Sequence, residues 1–149
     1  MLEVFREVRE MSCEEIPRLH SLAGKYFRTK APRAAFVVSL ESNYGNRHEF
    51  LIVVPRWYPT VAPAAYSLSH IPGQYNIAHI YAQDGRCCLF EKYGRDWNAN
   101  ECDLVTFVGW TAMWLFCQEF YQRKGYWPAR ESHKTERRMR SKIYSRKKR

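Results

Sequence analysis

Two adjacent thiols, Cys87 and Cys88, follow Asp84-Gly85 in a stretch with no regular period, and they are the residues here best suited to covalent chemistry. Carrying an activated acyl group requires a thiol, because a hydroxyl would give an ester too stable to pass to an amine. Such a thiol has to be reachable, which puts it on a loop rather than in a core strand. Neighbouring side chains on an extended backbone face opposite ways, so only one of Cys87 and Cys88 can point into a cleft. The other thiols, Cys13, Cys102 and Cys117, read as small buried hydrophobes. Five cysteines are an odd number, and a bridge between adjacent positions would be strained, so reduced thiols are expected. The opening MLEVFREVRE is too charged for a signal peptide. Both features predict a cytoplasmic protein.

Other chemistries fail on spacing. The sequence has no C-x-x-C and no H-x-x-x-H pair to hold zinc. It has no glycine-rich phosphate loop, so no nucleotide site and no means of activating an acyl group with ATP are expected. A papain-like protease would need its cysteine on a helix paired with a histidine, whereas Cys88 falls in coil. No cofactor and no metal are expected.

A net charge of +9 resembles a nucleic-acid signal until it is located. From Arg123 onward there are 12 Lys/Arg and 2 Asp/Glu, while the preceding residues hold 12 and 13. The body is close to neutral, and the basicity belongs to the C-terminal end. Nucleic acid is therefore the weaker candidate partner, and a solvated end is the simpler account of the charge. The longest apolar stretch, Leu104 to Cys117, is 14 residues and includes Thr106, Gly109 and Thr111. A membrane span needs roughly 20 residues, so a buried helix is expected and a membrane partner is not.

The elements that must position these thiols are legible in outline. The N-terminal stretch to about Phe27 reads as helical, with Ser12-Cys13-Glu14-Glu15 as a capping box, Ile16, Leu19 and Leu22 as its apolar side, and Gly24 as its end. Ala34–Glu41 and Glu49–Pro55 read as strands of a hairpin across Asn43-Tyr44-Gly45-Asn46. Trp57 to Pro63 is an ordered proline-rich loop, and Ala64–His70 returns to a two-residue alternation. Ile71 to about Glu101 is irregular, and long loops of this kind in compact domains usually carry function. Asp103 to about Lys124 is the main helix, closed by Gly125, and its apolar residues spread beyond one stripe. It is therefore expected to be buried on more than one side or to have a partner. These elements predict one α/β domain of the α+β kind.

Several landmarks occur together and in order. Tyr58-Pro59-Thr60-Val61-Ala62-Pro63 resembles the Tyr-Pro-x-x-x-Pro loop after the second strand of ubiquitin-conjugating domains. His79-Ile80-Tyr81 followed by Asp84-Gly85-Arg86-Cys87-Cys88-Leu89 is similar to that family's active-site segment, in which a histidine precedes a glycine turn and a Cys-Leu pair. Asp96-Trp97-Asn98 resembles its Asp-Trp-x-Pro element, with Asn98 followed by Ala99 rather than the family's pattern. The run from Trp114-Leu115-Phe116 through Gly125-Tyr126-Trp127-Pro128 to His133 looks like the bacterial branch found in CBASS-type anti-phage operons. The resemblance covers roughly residues 12 to 133.

What it implies is a UBC-like fold with an N-terminal helix, an antiparallel β-meander, an active-site loop and a long C-terminal helix. The domain would span residues 1–133, with 134–149 a basic, mobile tail. Because the family places Leu directly after the nucleophile, the resemblance selects Cys88 over Cys87 as the thioester-forming residue. His79 would position the active-site loop or donate to the oxyanion, against a purely structural reading in which its ring satisfies a backbone carbonyl. Asp96 would orient or deprotonate the incoming lysine amine, against a capping role. Eukaryotic members follow this histidine with Pro and then an Asn that stabilises the oxyanion; here Ile80 and Tyr81 stand there. Tyr81, Asn98 or a backbone N–H would have to take its place. The implied donor is a cGAS-like nucleotidyltransferase or a ubiquitin-like protein, and the implied acceptor is a protein lysine. A silent scaffold and a basic-tailed nucleic-acid binder are the competing functions.

Overall fold

The computed structural model describes residues 5–69, 79–81, 83–89 and 96–128. Expectations that fall on His70 to Ala78, on His133 and on the basic tail lie outside the described residues. Among those described, the elements run β1 (Phe5–Met11), a 3-10 turn (Cys13–Glu15), α1 (Ile16–Leu19), α2 (Ser21–Phe27), β2 (Ala34–Glu41), β3 (Arg47–Val54), β4 (Ala64–Ser67) and α3 (Leu104–Lys124). The strands form a four-stranded antiparallel sheet in the order β1-β2-β3-β4. This is the α+β class expected from the sequence.

The first element corrects the helical reading of the N terminus. Glu7 to Glu10 are exposed, so their side chains do not choose between helix and strand. The backbone edge of β2 decides: Glu7 to Met11 pair with Ser39 to Ala35, and the ladder supplies the hydrogen bonds that a solitary charged helix would have to make alone. Charges along this outer strand also discourage edge-to-edge association. The capping box does form, with Ser12 Oγ accepting from Glu14 N and Glu15 Oε2 accepting from Ser12 N. It starts a 3-10 turn that leads into α1 through Pro17.

Gly24 does not end the helix. His20, in extended conformation, breaks α1 from α2, and its Nδ1 caps α2 by accepting from Ala23 N at 3.1 Å. Gly24 then sits inside α2, where a Cβ would stand 2.6 Å from Pro17 Cα and 2.9 Å from Pro17 Cβ. The glycine is there for close approach of two short helices. Gly24→Ala should therefore destabilise the protein by about 1–3 kcal/mol through overpacking, although alanine is the better helix former by about 1 kcal/mol. Urea unfolding of the variant checks this, and a stabilised variant would contradict the close approach.

Alternation in the strands sorts side chains onto two faces. Ala35, Val37, Leu51, Val53, Ala64 and Tyr66 pack with Ile16, Ala23 and Phe27 of the short helices. Val38, Leu40, Phe50, Ile52 and Ala65 pack with Phe107, Val108, Trp114 and Leu115 of α3. The sheet is thus the middle of three layers. β3 starts at Arg47 and β4 stops at Ser67, both within a few residues of expectation.

Asp103 caps α3, accepting from Thr106 N at 2.8 Å, and Gly125 closes it in left-handed conformation at φ 83°. The Thr106 hydroxyl donates to the same Oδ1 at 3.0 Å, and the two hydrogen bonds hold the Asp103 carboxyl below its ordinary range. Near the end of the helix Glu119 meets His48 of β3 at 2.8 Å, an ion-pair geometry that ties helix to sheet. The helix is apolar beyond its packed side: Val105 is 73% and Met113 57% exposed. Among the described residues no helix is long and apolar enough to cross a membrane.

Candidate functional site

The irregular segment contains a short hairpin that brings Cys88 into place. Ile80 and Cys87 form an antiparallel bridge, Tyr81 N donates to Arg86 O at 3.0 Å, and Cys88 N donates to His79 O at 2.7 Å. Asp84-Gly85 makes the turn: Gly85 takes φ 76°, its N–H reaches Tyr81 O at 2.8 Å, and Asp84 Oδ1 accepts from Arg86 N at 3.2 Å. Asp-Gly at such a turn is a strong hairpin signal, and it was available in the sequence.

Two contacts pin the hairpin to the rest of the molecule. Cys87 N donates to Ala65 O at 2.7 Å, which ties the hairpin to β4. The indole N–H of Trp114, on α3, donates to His79 O at 3.0 Å. His79 adopts φ 56°, in the left-handed region that costs a non-glycine residue roughly 1–2 kcal/mol. That turn aims one carbonyl at two donors, Cys88 N and Trp114 Nε1. The imidazole lies against the Trp127 ring, centroids 4.1 Å apart.

The pleat separates the two thiols, as alternation predicts. Cys87 is 4% exposed and packs among the residues between sheet and α3, and burial pushes its thiol well above its ordinary pKa. Cys88 is half-buried, and its Sγ lies 3.3 Å from the hydroxyl of Tyr81. Burial and the neighbouring Cys88 push the Tyr81 phenol upward in turn, so it stays protonated. Behind Tyr81 the Arg86 guanidinium lies over the ring at 4.7 Å from its centroid, and Arg86 Nε is 3.4 Å from the buried Asp84 carboxylate. Sequence reasoning did not find this Tyr81–Arg86–Asp84 arrangement, because it depends on which residues the hairpin register sets side by side.

Asp96 is placed by a different segment. It is exposed at the start of the turns that precede α3, and its backbone carbonyl is 3.8 Å from Cys102 Sγ. Two residues on, Asn98 Oδ1 accepts from Asn100 N at 2.9 Å and shapes the turn. Between them Trp97 is buried and donates from Nε1 to Pro59 O at 2.8 Å, with its ring beside Tyr58, Phe107 and Trp110. This bond locks the Tyr58-Pro59 loop to the Asp96-Trp97 element. Of the other thiols, Cys117 is buried as expected, while Cys13 and Cys102 are only half-buried and hydrogen-bond to the carbonyls of Pro32 and Asp96.

The family model of the Type II CBASS E2 protein matches residues 18–134, a span that includes both landmark loops, the hairpin and α3. The chain belongs to the Type II CBASS E2 family. Membership assigns it an E2-like role in CBASS antiviral defence, working with other components of that system. No curated protein and no solved structure matches the chain. In an E2-like protein, a half-exposed thiol at the end of a pinned hairpin, next to a buried one, forms a compact candidate site.

Proposed function

We propose that this E2-like chain is a cysteine acyl carrier and transferase, with Cys88 as the sulfur that holds the acyl group. The observation that carries this reading is the division of the adjacent thiols: Cys87 is walled into the core, and Cys88 is half-exposed on the other side of the strand. The Cys88 thiolate attacks the carbonyl carbon of an already activated carboxyl group, either an acyl adenylate or a thioester. A C–S bond forms, and the adenylate or thiolate leaves with the bonding electrons. A neutral lysine amine then attacks the thioester, an amide bond forms, and the C–S electrons return to Cys88. The amine's proton goes to solvent or to the Asp96 carboxylate, which is exposed. His79 is a positioning residue that acts through its carbonyl on Cys88 N.

On this reading the acyl donor is the C-terminal carboxyl of a cGAS-like nucleotidyltransferase or of a ubiquitin-like protein, and the acceptor is a protein lysine. Activation of the carboxyl is assigned to another component. In cells carrying the intact defence operon, Cys88→Ala should abolish protection against phage, while Cys87→Ala should retain it. Full protection with Cys88→Ala would instead make the chain a scaffold.

We assign conjugation to residues 1–133 and treat 134–149 as an appendage. Removing residues 134–149 should leave loading of Cys88 unchanged, measured by intact mass. Loss of phage protection on that cut, with loading intact, would favour a nucleic-acid role for the basic end.

A further inference from the structure

We propose that the Tyr81 hydroxyl is the hydrogen-bond donor that stabilises the oxyanion during acyl transfer at Cys88, a role that rests on the carrier reading above. Attack on a thioester carbonyl places negative charge on its oxygen, and a positioned donor is worth a large rate factor there. Tyr81, Asn98 and the backbone N–H groups are the candidate donors, and among the described residues their contacts separate them.

Asn98 belongs to the turn that leads into α3 and not to the Cys88 hairpin: its Oδ1 accepts from Asn100 N, and its carbonyl accepts from Glu101 N and Cys102 N. The backbone N–H groups of residues 85 to 88 are each committed, to Tyr81 O, Asp84 Oδ1, Ala65 O and His79 O respectively. The Tyr81 hydroxyl reaches the reacting sulfur itself, at 3.3 Å.

A phenol carries one proton and two lone pairs. With Cys88 as a thiol, Oη accepts the S–H. Once Cys88 is acylated the sulfur has no proton, and the O–H can turn to the carbonyl oxygen on the carbon bonded to that sulfur. Amine attack moves the C=O electron pair onto this oxygen, which Tyr81 stabilises. Collapse returns the pair, breaks the C–S bond, and leaves a thiolate that the same O–H can stabilise. The Arg86 guanidinium on the face of the ring strengthens the phenol as a donor, and Asp84 holds Arg86 there. Tyr81 thus does from a side-chain hydroxyl what an amide would do in its place.

The test uses purified full-length protein and a small activated acyl donor, N-acetylglycine benzyl thioester, so that no natural donor need be known. Acylation of Cys88 is followed by mass spectrometry with peptide mapping, and its discharge by adding lysine. In parallel, alkylation of Cys88 by iodoacetamide reports on a reaction that forms no oxyanion. Tyr81→Phe should slow both acylation and discharge by roughly 10²-fold, with a much smaller change in alkylation. Wild-type rates of acylation and discharge in Tyr81→Phe would overturn the assignment while leaving the carrier reading intact. Equal losses in acyl transfer and alkylation would also overturn it, since Tyr81 would then act only on the thiol. A wild-type protein that alkylates at Cys88 yet never acylates there would overturn the carrier reading, and this inference with it.

Discussion

Trp114→Ala is expected to cost about 3–5 kcal/mol of stability, as large aromatic-to-alanine changes in packed cores do. Trp114 is 2% exposed and stands where the sheet, α3 and the Cys88 hairpin meet. Its ring packs edge-on against Phe50, centroids 5.9 Å apart, and lies 6.5 Å from Trp127, while its N–H holds the His79 carbonyl. Alanine would open a cavity on the α3 face and remove one of the two donors to that carbonyl. For a chain of this length the loss corresponds to a fall in Tm on the order of 10 °C. Trp114→Phe separates the two contributions, since it keeps most of the packing and removes the donor, at a cost of about 1–2 kcal/mol. Urea titrations of both variants measure this. A cost below 1 kcal/mol for Trp114→Ala would mean that the indole does not join the site to the core.

The second large effect concerns reactivity. Cys88 should be alkylated by iodoacetamide in the native protein, and Cys87 should be protected by at least about 10³-fold, because it reacts only after an opening that costs several kcal/mol. Two causes act in the same direction. Cys87 is buried among Phe107, Leu115 and their neighbours, and that burial disfavours its thiolate, which is the reactive form. Adding denaturant should remove the difference. Half-buried Cys13 and Cys102 should also react, so peptide mapping is needed to assign each site. Equal native labelling of Cys87 and Cys88 would mean that the pleat does not separate them.

Much of this arrangement was legible in residue types alone, and the misses have physical reasons. The β2–β3 hairpin was visible because runs rich in β-branched and aromatic residues flank a turn-forming Asn-Tyr-Gly-Asn, and both strands are largely buried. The limits of α3 were visible because Asp103 and Gly125 are chemically suited to cap it. The opposite facing of Cys87 and Cys88 followed from alternation. β1 was not legible: its charged, exposed residues carry no preference of their own, and only the free edge of β2, distant in sequence, makes them a strand. Gly24 was misread as a stop because close approach to Pro17 is a tertiary fact. The hairpin under Cys88 was hidden in a segment that looked irregular, since its bridge joins only Ile80 to Cys87. Tyr81 could be named as one of several possible donors from its position; its contact with Cys88 needed the register.

The most direct test of the central claim is a thioester trap. The chain is co-expressed with each proposed donor, a cGAS-like nucleotidyltransferase or a ubiquitin-like protein, as wild type, Cys87→Ala and Cys88→Ala, and run on gels with and without thiol reductant. The account predicts a higher-mass band in wild type and Cys87→Ala that reductant abolishes and that Cys88→Ala never forms. A band that survives Cys88→Ala, or no band with any donor from the operon, would contradict it.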